Sequence, residues 1–254
     1  MSPWRRERYL LHARTREHQR RVDAARRIIA QALAMGERPY VSWSGGKDST
    51  CVLELVREQM PDVPALCSKD DLDFPGSREF CAQYAARRGV NLHIVTPREP
   101  VLSTLIRLGG PRVLHAPGNR LDELAYFGPM REAARQLGCT MRVLGLRADE
   151  SKARRLNRAT RGPIYRHRDG SWVVCPIADW SVADVWAFIM SRELPYLYIY
   201  DLEEMADDPE QLRECWWIGG PTAAGYGQLA WVKYHFPQLH RKLVELWPDW
   251  SEGA

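Results

Sequence analysis

The sequence predicts a doubly wound α/β domain with a mainly parallel sheet, followed by a C-terminal extension made of a hairpin and helices. Strand-like and helix-like segments alternate along the first two thirds of the chain, which is typical of βαβ units. A glycine-rich turn stands where the first predicted strand passes into a helix. The alternation ends near residue 162, where a hairpin signal replaces it.

Short apolar runs bounded by glycine or proline indicate buried strands, and longer segments with apolar side chains every three or four residues indicate helices. The predicted elements are helix 7–35, strand 39–43, helix 48–60, strand 63–68, helix 77–88, strand 91–96, helix 102–108, helix 121–137 with an interruption near Gly128-Pro129, and strand 140–146. In the first helix the positions expected to be buried are Leu10, Leu11, Val22, Ile28, Ile29 and Leu33.

The C-terminal third has a different pattern. Two short apolar segments, 164–167 and 172–175, flank an Asp-Gly pair that favours a tight hairpin turn. Residues 181–184 form a near-capping box and predict the start of a helix, and the aromatic-rich chain from Pro221 onward is predicted to be helical. The predicted divisions are an N-terminal helical segment (1–36), an α/β domain that carries the glycine-rich turn (37–162), and an extension packed on it (163–254).

The composition is that of an ordinary globular chain, with 254 residues, 45% hydrophobic and 27% charged. No apolar run approaches the roughly 20 residues that span a bilayer, and the first residues lack the apolar stretch of a signal peptide. We therefore expect a cytoplasmic protein with no membrane partner.

The formal net charge is only +4, but basic residues concentrate in two clusters. Each cluster is either a solvated helix face with an anion pocket nearby or a surface that binds a polyanion such as nucleic acid. For the first cluster the solvated face is the preferred interpretation. The first cluster comprises Arg5, Arg6, Arg8, Arg14, Arg16, Arg20, Arg21, Arg26 and Arg27, and the second comprises Lys152, Arg154, Arg155, Arg158, Arg161, Arg166 and Arg168.

The strongest functional signal is the segment 41–49, at the predicted junction of strand 39–43 and helix 48–60. Gly45 and Gly46 allow the backbone to adopt positive φ and to approach a phosphate closely. The N–H groups and the dipole at the start of the helix favour an anion at this point. The segment therefore predicts a nucleotide phosphate site.

Side chains in this segment add to the anion site. Lys47 supplies a positive charge, and Ser44 and Ser49 supply hydroxyl donors. Asp48 either orients the loop or helps to hold a magnesium ion, and Ser42 completes the predicted nucleotide-binding set of the segment. The pattern is not a Walker A loop, because the opening glycine is missing and Asp48 stands where that motif needs Ser or Thr.

The hexapeptide Ser44–Ser49 resembles the PP-loop shared by ATP pyrophosphatases, ATP sulfurylase small subunits and phosphoadenosine phosphosulfate (PAPS) reductases. This resemblance implies that the loop grips nucleotide phosphates and that the bond between the α- and β-phosphates is the one broken. It also implies ATP, or PAPS, as the bound nucleotide, with Mg²⁺ as its counterion.

Further segments resemble the PAPS reductase family, in that family's order. Gly145–Ser151 resembles its Gly-x-Arg-x-x-Glu-Ser segment, and Phe74-Pro75 resembles, less closely, the corner after its second strand. The remaining matches are Pro176–Ser181, Asp184–Trp186, Leu194–Tyr196 and Tyr200-Asp201. These matches add Asp70, Asp71, Gly145, Arg147, Ser151 and Arg154 to the predicted nucleotide-binding residues, and the predicted catalytic residues are Lys47, Asp48 and Arg147.

Arg147 follows a predicted strand at the carboxyl edge of the sheet, where open α/β folds bind ligands. Its guanidinium can clamp phosphate or sulfate in a bidentate manner, or form a salt bridge to Asp149 or Glu150. Asp70 and Asp71 end the second strand and either contact ribose, adenine or metal, or cap the loop. Three aromatic residues in the matched segments are expected to pack in the core rather than to stack on a base, namely Trp180, Trp186 and Tyr196.

The chain departs from the reductases at their catalytic cysteine, which stands in a Glu-Cys-Gly-[Ile/Leu]-His motif. Glu214-Cys215 matches the first two positions of this motif, but Trp-Trp-Ile follows in place of Gly-[Ile/Leu]-His. The six cysteines contain no C-x-x-C pair, and the paired cysteines of the adenylyl-sulfate type are missing, so no iron–sulfur cluster is predicted. Cys215 is interpreted as a structural thiol.

The preferred hypothesis is an adenylyltransferase-type enzyme that activates a substrate at the α-phosphate of ATP, in sulfur metabolism or in sulfur incorporation such as DNA phosphorothioation. A thiol-dependent PAPS reductase that uses Cys215 is the first alternative. A non-catalytic nucleotide-binding subunit is the second. The partners expected beside the adenine nucleotide are nucleic acid or a sulfur-donor protein.

Overall fold

The computed structural model describes residues 1–110, 120–202 and 232–248. Six strands form one sheet in the order β3-β2-β1-β4-β6-β5. The pairs β1–β2, β1–β4, β2–β3 and β4–β6 are parallel, and β5 runs antiparallel to β6 at the edge. The predicted α/β class with a mainly parallel sheet is confirmed.

The strands are short, and most strands and helices lie close to their predicted positions. The strands are β1 (Pro39–Ser42), β2 (Ala65–Ser68), β3 (Leu92–Val95), β4 (Met141–Leu144), β5 (Ile164–Arg166) and β6 (Trp172–Val174). The labelled helices are α1 (Pro3–Ala13), α2 (Arg16–Leu33), α3 (Lys47–Arg57), α4 (Ser77–Arg88), α5 (Val101–Leu108), α6 (Gly128–Gln136), α7 (Lys152–Arg161), α8 (Val182–Ser191) and α9 (Pro237–Leu246).

Different helices cover the two faces of the sheet, as a doubly wound fold requires. On one face Tyr40, Leu66 and Val95 of successive strands pack with Met130 and Ala134 of α6. The opposite face packs with α3 and α8, and its central members are Val41, Cys67, Leu55, Val185 and Trp186. Alternate residues of β1 thus enter two separate cores, as the two-residue period of a strand requires.

The prediction of one helix over 7–35 is wrong, because the chain breaks between Ala13 and Arg16 into α1 and α2. The hydroxyl of Thr15 accepts a hydrogen bond from the backbone N–H of His18 at 3.2 Å and so caps α2. The break rotates α1 relative to the single-helix register. Leu11, predicted to be buried, is therefore 55% exposed, and α1 buries Tyr9 and Ala13 instead.

The predicted interruption near Gly128-Pro129 takes the form of a π-helix rather than a loop. Glu123–Phe127 forms the π-helical turn, and α6 follows it without a gap. Pro129 has no backbone N–H to donate to the preceding turn, which is a common reason for such a local widening.

The hairpin around Asp169-Gly170 is confirmed, with β5 and β6 as its arms. Since β6 also pairs with β4, the hairpin continues the main sheet across the predicted boundary at residue 162. The predicted capping box is present as well, since the Ser181 hydroxyl and the Asp184 carboxylate accept each other's backbone N–H.

The aromatic residues of the C-terminal segments pack as expected. Trp180 and Trp186 are buried, and Tyr196 meets Trp186 edge to face at a centroid distance of 5.3 Å. Within the parts of the chain that the structure describes, none of the helices combines the length and apolar character that a bilayer crossing requires.

Candidate active site

The glycine-rich loop lies where predicted, between β1 and α3 at the carboxyl edge of the sheet. Gly46 is the extended N-cap residue of α3, and Gly45 has φ of +88°. A Cβ atom on Gly45 would stand 2.7 Å from Sγ of Cys81. Both the backbone conformation and the space therefore require glycine at position 45.

Two hydroxyl groups hold this loop in shape. Oγ of Ser44 lies 3.2 Å from Oγ of Ser49 and accepts from the N–H of Gly46 at 3.1 Å. Oγ of Ser49 donates to the carbonyl oxygen of Gly46 at 3.0 Å. Ser44 and Ser49, both predicted to contact the nucleotide, thus form hydrogen bonds within the loop itself.

Lys47, Asp48 and Arg147 form the charged centre of the site. Nζ of Lys47 lies 2.9 Å from one carboxylate oxygen of Asp48, and Nε of Arg147 lies 2.6 Å from the other. The side chains of Lys47 and Arg147 are buried, the latter only 4% exposed. Burial opposes ionisation of Asp48, but the charges and hydrogen bonds of Lys47 and Arg147 outweigh it and hold the pKa of this carboxyl below its ordinary value.

Arg147 also makes one of the salt bridges considered from the sequence. Its guanidinium binds both carboxylate oxygens of Asp149, at 2.8 and 2.7 Å, while Glu150 accepts from its backbone N–H at 3.1 Å. The contact with Asp48 joins residues 99 positions apart and was not predicted. Arg147 therefore links the chain after β4 to the glycine-rich loop between β1 and α3.

Gly145 makes this tie possible. A Cβ atom there would lie 2.7 Å from the backbone N of Ser49 and 2.8 Å from the carbonyl carbon of Asp48. The chain leaving β4 thus touches the first turn of α3 backbone to backbone. Gly145 is a packing residue of the site, and it brings Arg147 within reach of Asp48.

Ser151 and Arg154 stabilise the connection that follows. The hydroxyl of Ser151 accepts from the backbone N–H of Arg154 at 3.1 Å and caps α7. The guanidinium of Arg154 pairs with Glu150. Their predicted contact with a nucleotide stays a prediction, beside these structural roles.

Asp70 and Asp71 make hydrogen bonds of the capping kind, and their predicted contact with a nucleotide or metal stays a prediction. The carboxylate of Asp70 accepts from the N–H of Leu72 at 2.8 Å. That of Asp71 accepts from the N–H of Val101 at 2.6 Å and of Leu102 at 3.2 Å, at the start of α5. These two aspartates therefore shape the loop after β2.

Sequence reasoning missed two residues of the site. Lys69 is 1% exposed, and its Nζ donates to the carbonyl oxygen of Ser44 and to the hydroxyl of Ser77, both at 2.7 Å. The hydroxyl of Tyr200 accepts from the backbone N–H of Lys47 at 3.1 Å. The signal for Lys69 was a lysine that directly follows a buried strand, next to the two aspartates that were singled out.

Cys215 lies outside the described residues. The five described cysteines form no disulfide with one another, and four of them are buried. Burial raises the pKa of Cys51, Cys139 and Cys175, the last to about 11. Those three thiols are therefore poor sources of a reactive thiolate.

We predict that Asp48 contributes to stability in a pH-dependent manner. Since its folded-state pKa is lowered, its stabilising effect is full above the unfolded pKa, about 3.9, and is lost as pH falls through the lower folded value. Asp48→Asn should lower the free energy of unfolding at neutral pH by roughly 3 kcal/mol, the scale of breaking a buried ion pair.

Urea denaturation between neutral pH and pH 3 measures this effect, with the exposed Asp23→Asn as control. The difference between wild type and Asp48→Asn should shrink toward the acid end, whereas Asp23→Asn should stay close to wild type throughout. A difference for Asp48→Asn that does not vary with pH would contradict the assignment of the charge.

Sequence comparison with known proteins identifies the same family that the motifs resemble. A family model described as the phosphoadenosine phosphosulfate reductase domain matches residues 38–220. A PAPS reductase of Xylella fastidiosa is 29% identical over 175 residues, covering 68% of this chain and 72% of the relative. One of Xanthomonas campestris is 29% identical over 170 residues, covering 66% and 68%.

Solved structures share the fold. The PAPS reductase of Candida auris superposes with a TM-score of 0.57 at 20% identity, covering 72% of this chain and 86% of that one. The FMN adenylyltransferase of Candida glabrata superposes with a TM-score of 0.56 at 13% identity, covering 80% and 68%. With the PP-loop, Arg147 and the sheet order in place, this chain belongs to the phosphoadenosine phosphosulfate reductase domain family of the PP-loop superfamily.

Proposed function

We propose that this protein is an adenylyltransferase-type enzyme that binds ATP at the loop between β1 and α3 and activates an acceptor at the α-phosphate, releasing pyrophosphate. The observation that carries the proposal is the charged centre of Lys47, Asp48 and Arg147 beside the N-terminus of α3. Two buried cations and a helix N-terminus in one place favour a polyanionic ligand.

The cations of the site have internal acceptors. The carboxylate of Asp48 pairs with both Lys47 and Arg147, that of Asp149 pairs with Arg147, and the hydroxyl of Tyr200 accepts the N–H at the start of α3. We infer that phosphate oxygens replace these acceptors when the nucleotide binds. Lys47 and Arg147 would then face the charge that develops on the phosphates during transfer.

The exchange would also release the carboxylate of Asp48, the residue predicted to hold magnesium. A carboxylate oxygen suits Mg²⁺, which neutralises the β- and γ-phosphates of ATP when bound. In the structure both oxygens of Asp48 are engaged by cationic side chains. Magnesium binding at Asp48 is therefore proposed for the nucleotide complex.

Chemistry known for the neighbours supports this choice without deciding it. Structures of the Candida glabrata FMN adenylyltransferase contain an ATP analogue in one case, and FAD with inorganic pyrophosphate in another. The PAPS reductase relatives favour the alternative, sulfonate reduction by a thiolate. That alternative would depend on Cys215, because three of the five described thiols have raised pKa values and the other two, Cys67 and Cys81, are buried. A non-catalytic nucleotide-binding subunit would bind ATP without turnover.

We further propose nucleic acid as the macromolecular partner, with α7 as its contact surface. This helix of ten residues carries five basic and no acidic residues and buries none of its side chains. Glu150 pairs with Arg154 and Asp179 with Arg158, while Lys152 and Arg155 have no carboxylate within 4.0 Å among the described residues. An exposed cationic helix of this kind fits a phosphate backbone.

The position of α7 connects this surface to the site. The helix begins shortly after Arg147. The hairpin of β5 and β6 follows the helix, and its strand β6 pairs with β4. A nucleic acid on α7 would lie near the carboxyl edge of the sheet, beside the proposed nucleotide site. This arrangement supports a role in sulfur incorporation into nucleic acid.

We predict that Lys47→Met reduces the hydrolysis of ATP to AMP and pyrophosphate, in which water takes the place of the acceptor, by about 10²–10³-fold, the effect of removing one donor that stabilises transition-state charge. Methionine keeps the aliphatic stem, so circular dichroism should show an intact fold. Lys242→Met, which alters an exposed lysine of α9, is the control and should keep wild-type turnover.

A pyrophosphate assay with chromatographic detection of AMP measures the result. Equal turnover in Lys47→Met and wild type, or ADP as the product, would refute the proposed reaction. Sulfite formation from PAPS with reduced thioredoxin, abolished in Cys215→Ser, would establish the reductase alternative instead.

We predict that replacing Lys152, Arg155 and Arg161 together by glutamate weakens binding of fluorescent DNA at least tenfold and lowers the salt dependence of the binding constant. Each lost phosphate contact removes about 0.9 from the slope of log K against log salt. The matched control replaces Arg16, Arg20 and Arg27 of α2 by glutamate and so has the same change in net charge.

Fluorescence anisotropy with single-stranded and duplex DNA at several salt concentrations makes the comparison. Equal weakening by both triple variants would mean that net charge, not α7, attracts the DNA. Binding of a sulfur-donor protein in place of DNA would identify the other expected class of partner.

A further inference from the structure

A second cluster of chemically active side chains lies in the N-terminal part of the structure and is built from three helices. Nε2 of His12 lies 2.9 Å from Oδ1 of Asp184, and Nδ1 of His18 lies 3.1 Å from the same oxygen. The three ligand atoms all lie within 4.8 Å of one another. His12 is near the end of α1, His18 is in the first turn of α2, and Asp184 is in the first turn of α8.

The local structure explains why these residues meet. The break between α1 and α2 lets two histidines only six positions apart approach one point from different helices. Thr15 fixes this break by capping α2, and α1 packs along α8. His18 and Asp184 are buried, whereas the side chain of His12 is 27% exposed. The cluster is thus closed on the protein side and accessible from the side of His12.

The contacts of its second carboxylate oxygen, Oδ2, hold the side chain of Asp184 in one orientation. Oδ2 accepts from the N–H of Ser181 at 2.8 Å and from its hydroxyl at 2.6 Å, and it pairs with Arg21. Oδ1 therefore faces the two histidines. Supporting hydrogen bonds of this kind orient metal-ligating carboxylates in proteins.

The charge balance favours a cation. Arg21 is shared with Glu17, whose carboxylate lies 2.6 Å from the guanidinium. The carboxylates of Asp184 and Glu17 and the guanidinium of Arg21 together carry one net negative charge.

We propose that Nε2 of His12, Nδ1 of His18 and Oδ1 of Asp184 bind a divalent transition-metal ion, with zinc preferred, that fastens α1 and α2 to α8. Two imidazoles and a carboxylate form a ligand set typical of zinc. Tetrahedral bonds of about 2.0–2.1 Å separate ligand atoms by roughly 3.3 Å, so the two short contacts need to widen by only a few tenths of an ångström. Water from the exposed side of His12 would complete the coordination.

The site is separate from the proposed nucleotide chemistry. Its ligands belong to the two N-terminal helices and to α8, whereas the charged centre belongs to α3 and the chain after β4. The metal would have a structural role, since it links elements that are distant in the sequence. Zinc binding should therefore be independent of ATP.

The test uses the full chain after removal of metal with a chelator. We expect one Zn²⁺ per chain by calorimetric titration and by elemental analysis after desalting, with no competition from Mg²⁺, which prefers oxygen ligands. Zn²⁺ should raise the thermal midpoint of the wild type. His12→Ala and His18→Ala should each lower zinc affinity at least tenfold and reduce the thermal shift.

His167→Ala is the matched control, because His167 is also a histidine beside an aspartate, 3.1 Å from Asp169, but within the described residues it belongs to no group of three possible metal ligands. It should bind zinc like the wild type. His12→Ala is the decisive variant if His18→Ala fails to fold, since His12 is partly exposed. Co²⁺ in place of Zn²⁺ should give a visible spectrum without the ultraviolet charge-transfer band of thiolate ligands.

Three outcomes would overturn the proposal. They are absence of stoichiometric zinc in the wild type, unchanged affinity in His12→Ala, and a thiolate band with Co²⁺. Any of them would leave the cluster as a hydrogen-bonded ion pair that joins the same three helices. Pyrophosphate release in His12→Ala reports separately on the proposed enzyme activity.

Discussion

The architecture of the site depends on the contact of Asp48 with Lys47 and Arg147. This contact joins the first turn of α3 to the chain that leaves β4, two neighbouring units of the sheet. It needs Gly145, where a side chain would strike the backbone of α3, and it needs both cations, without which burial would disfavour the charge of Asp48. Lys69 supports the same loop from β2. Three consecutive strands of the sheet thus hold one phosphate loop.

The same contact explains how the buried cations of the site are compensated within the fold. Buried cations with no anion would be strongly destabilising, and Asp48, together with Asp149 at Arg147, supplies internal anions for them. The proposed replacement of the Asp48 carboxylate by phosphate would exchange one set of charge-assisted hydrogen bonds for another. The hydroxyl groups of Ser44 and Ser49 likewise form hydrogen bonds within the loop, and these bonds fix its shape.

The sequence was most informative where local rules decide the structure. Alternating apolar patterns located the strands and most helices, the Asp-Gly pair located the hairpin, and the hexapeptide located the loop. It was least informative where contacts join distant positions, as between Arg147 and Asp48. The break between α1 and α2 was missed because the apolar spacing continues across it, and only the cap by Thr15 marks it. The sequence around Asp70 and Asp71 did not predict the hydrogen bonds that their carboxylates accept from the backbone of Leu72 and Val101.

The central claim is that nucleotide phosphates take the place of the Asp48 carboxylate at Lys47 and Arg147. A crystal structure with a non-hydrolysable ATP analogue and Mg²⁺ tests this claim most directly. It should show phosphate oxygens within hydrogen-bond distance of Nζ of Lys47 and of the Arg147 guanidinium, with the carboxylate of Asp48 turned away from at least one of them. An analogue bound elsewhere, with both ion pairs of Asp48 intact, would contradict it.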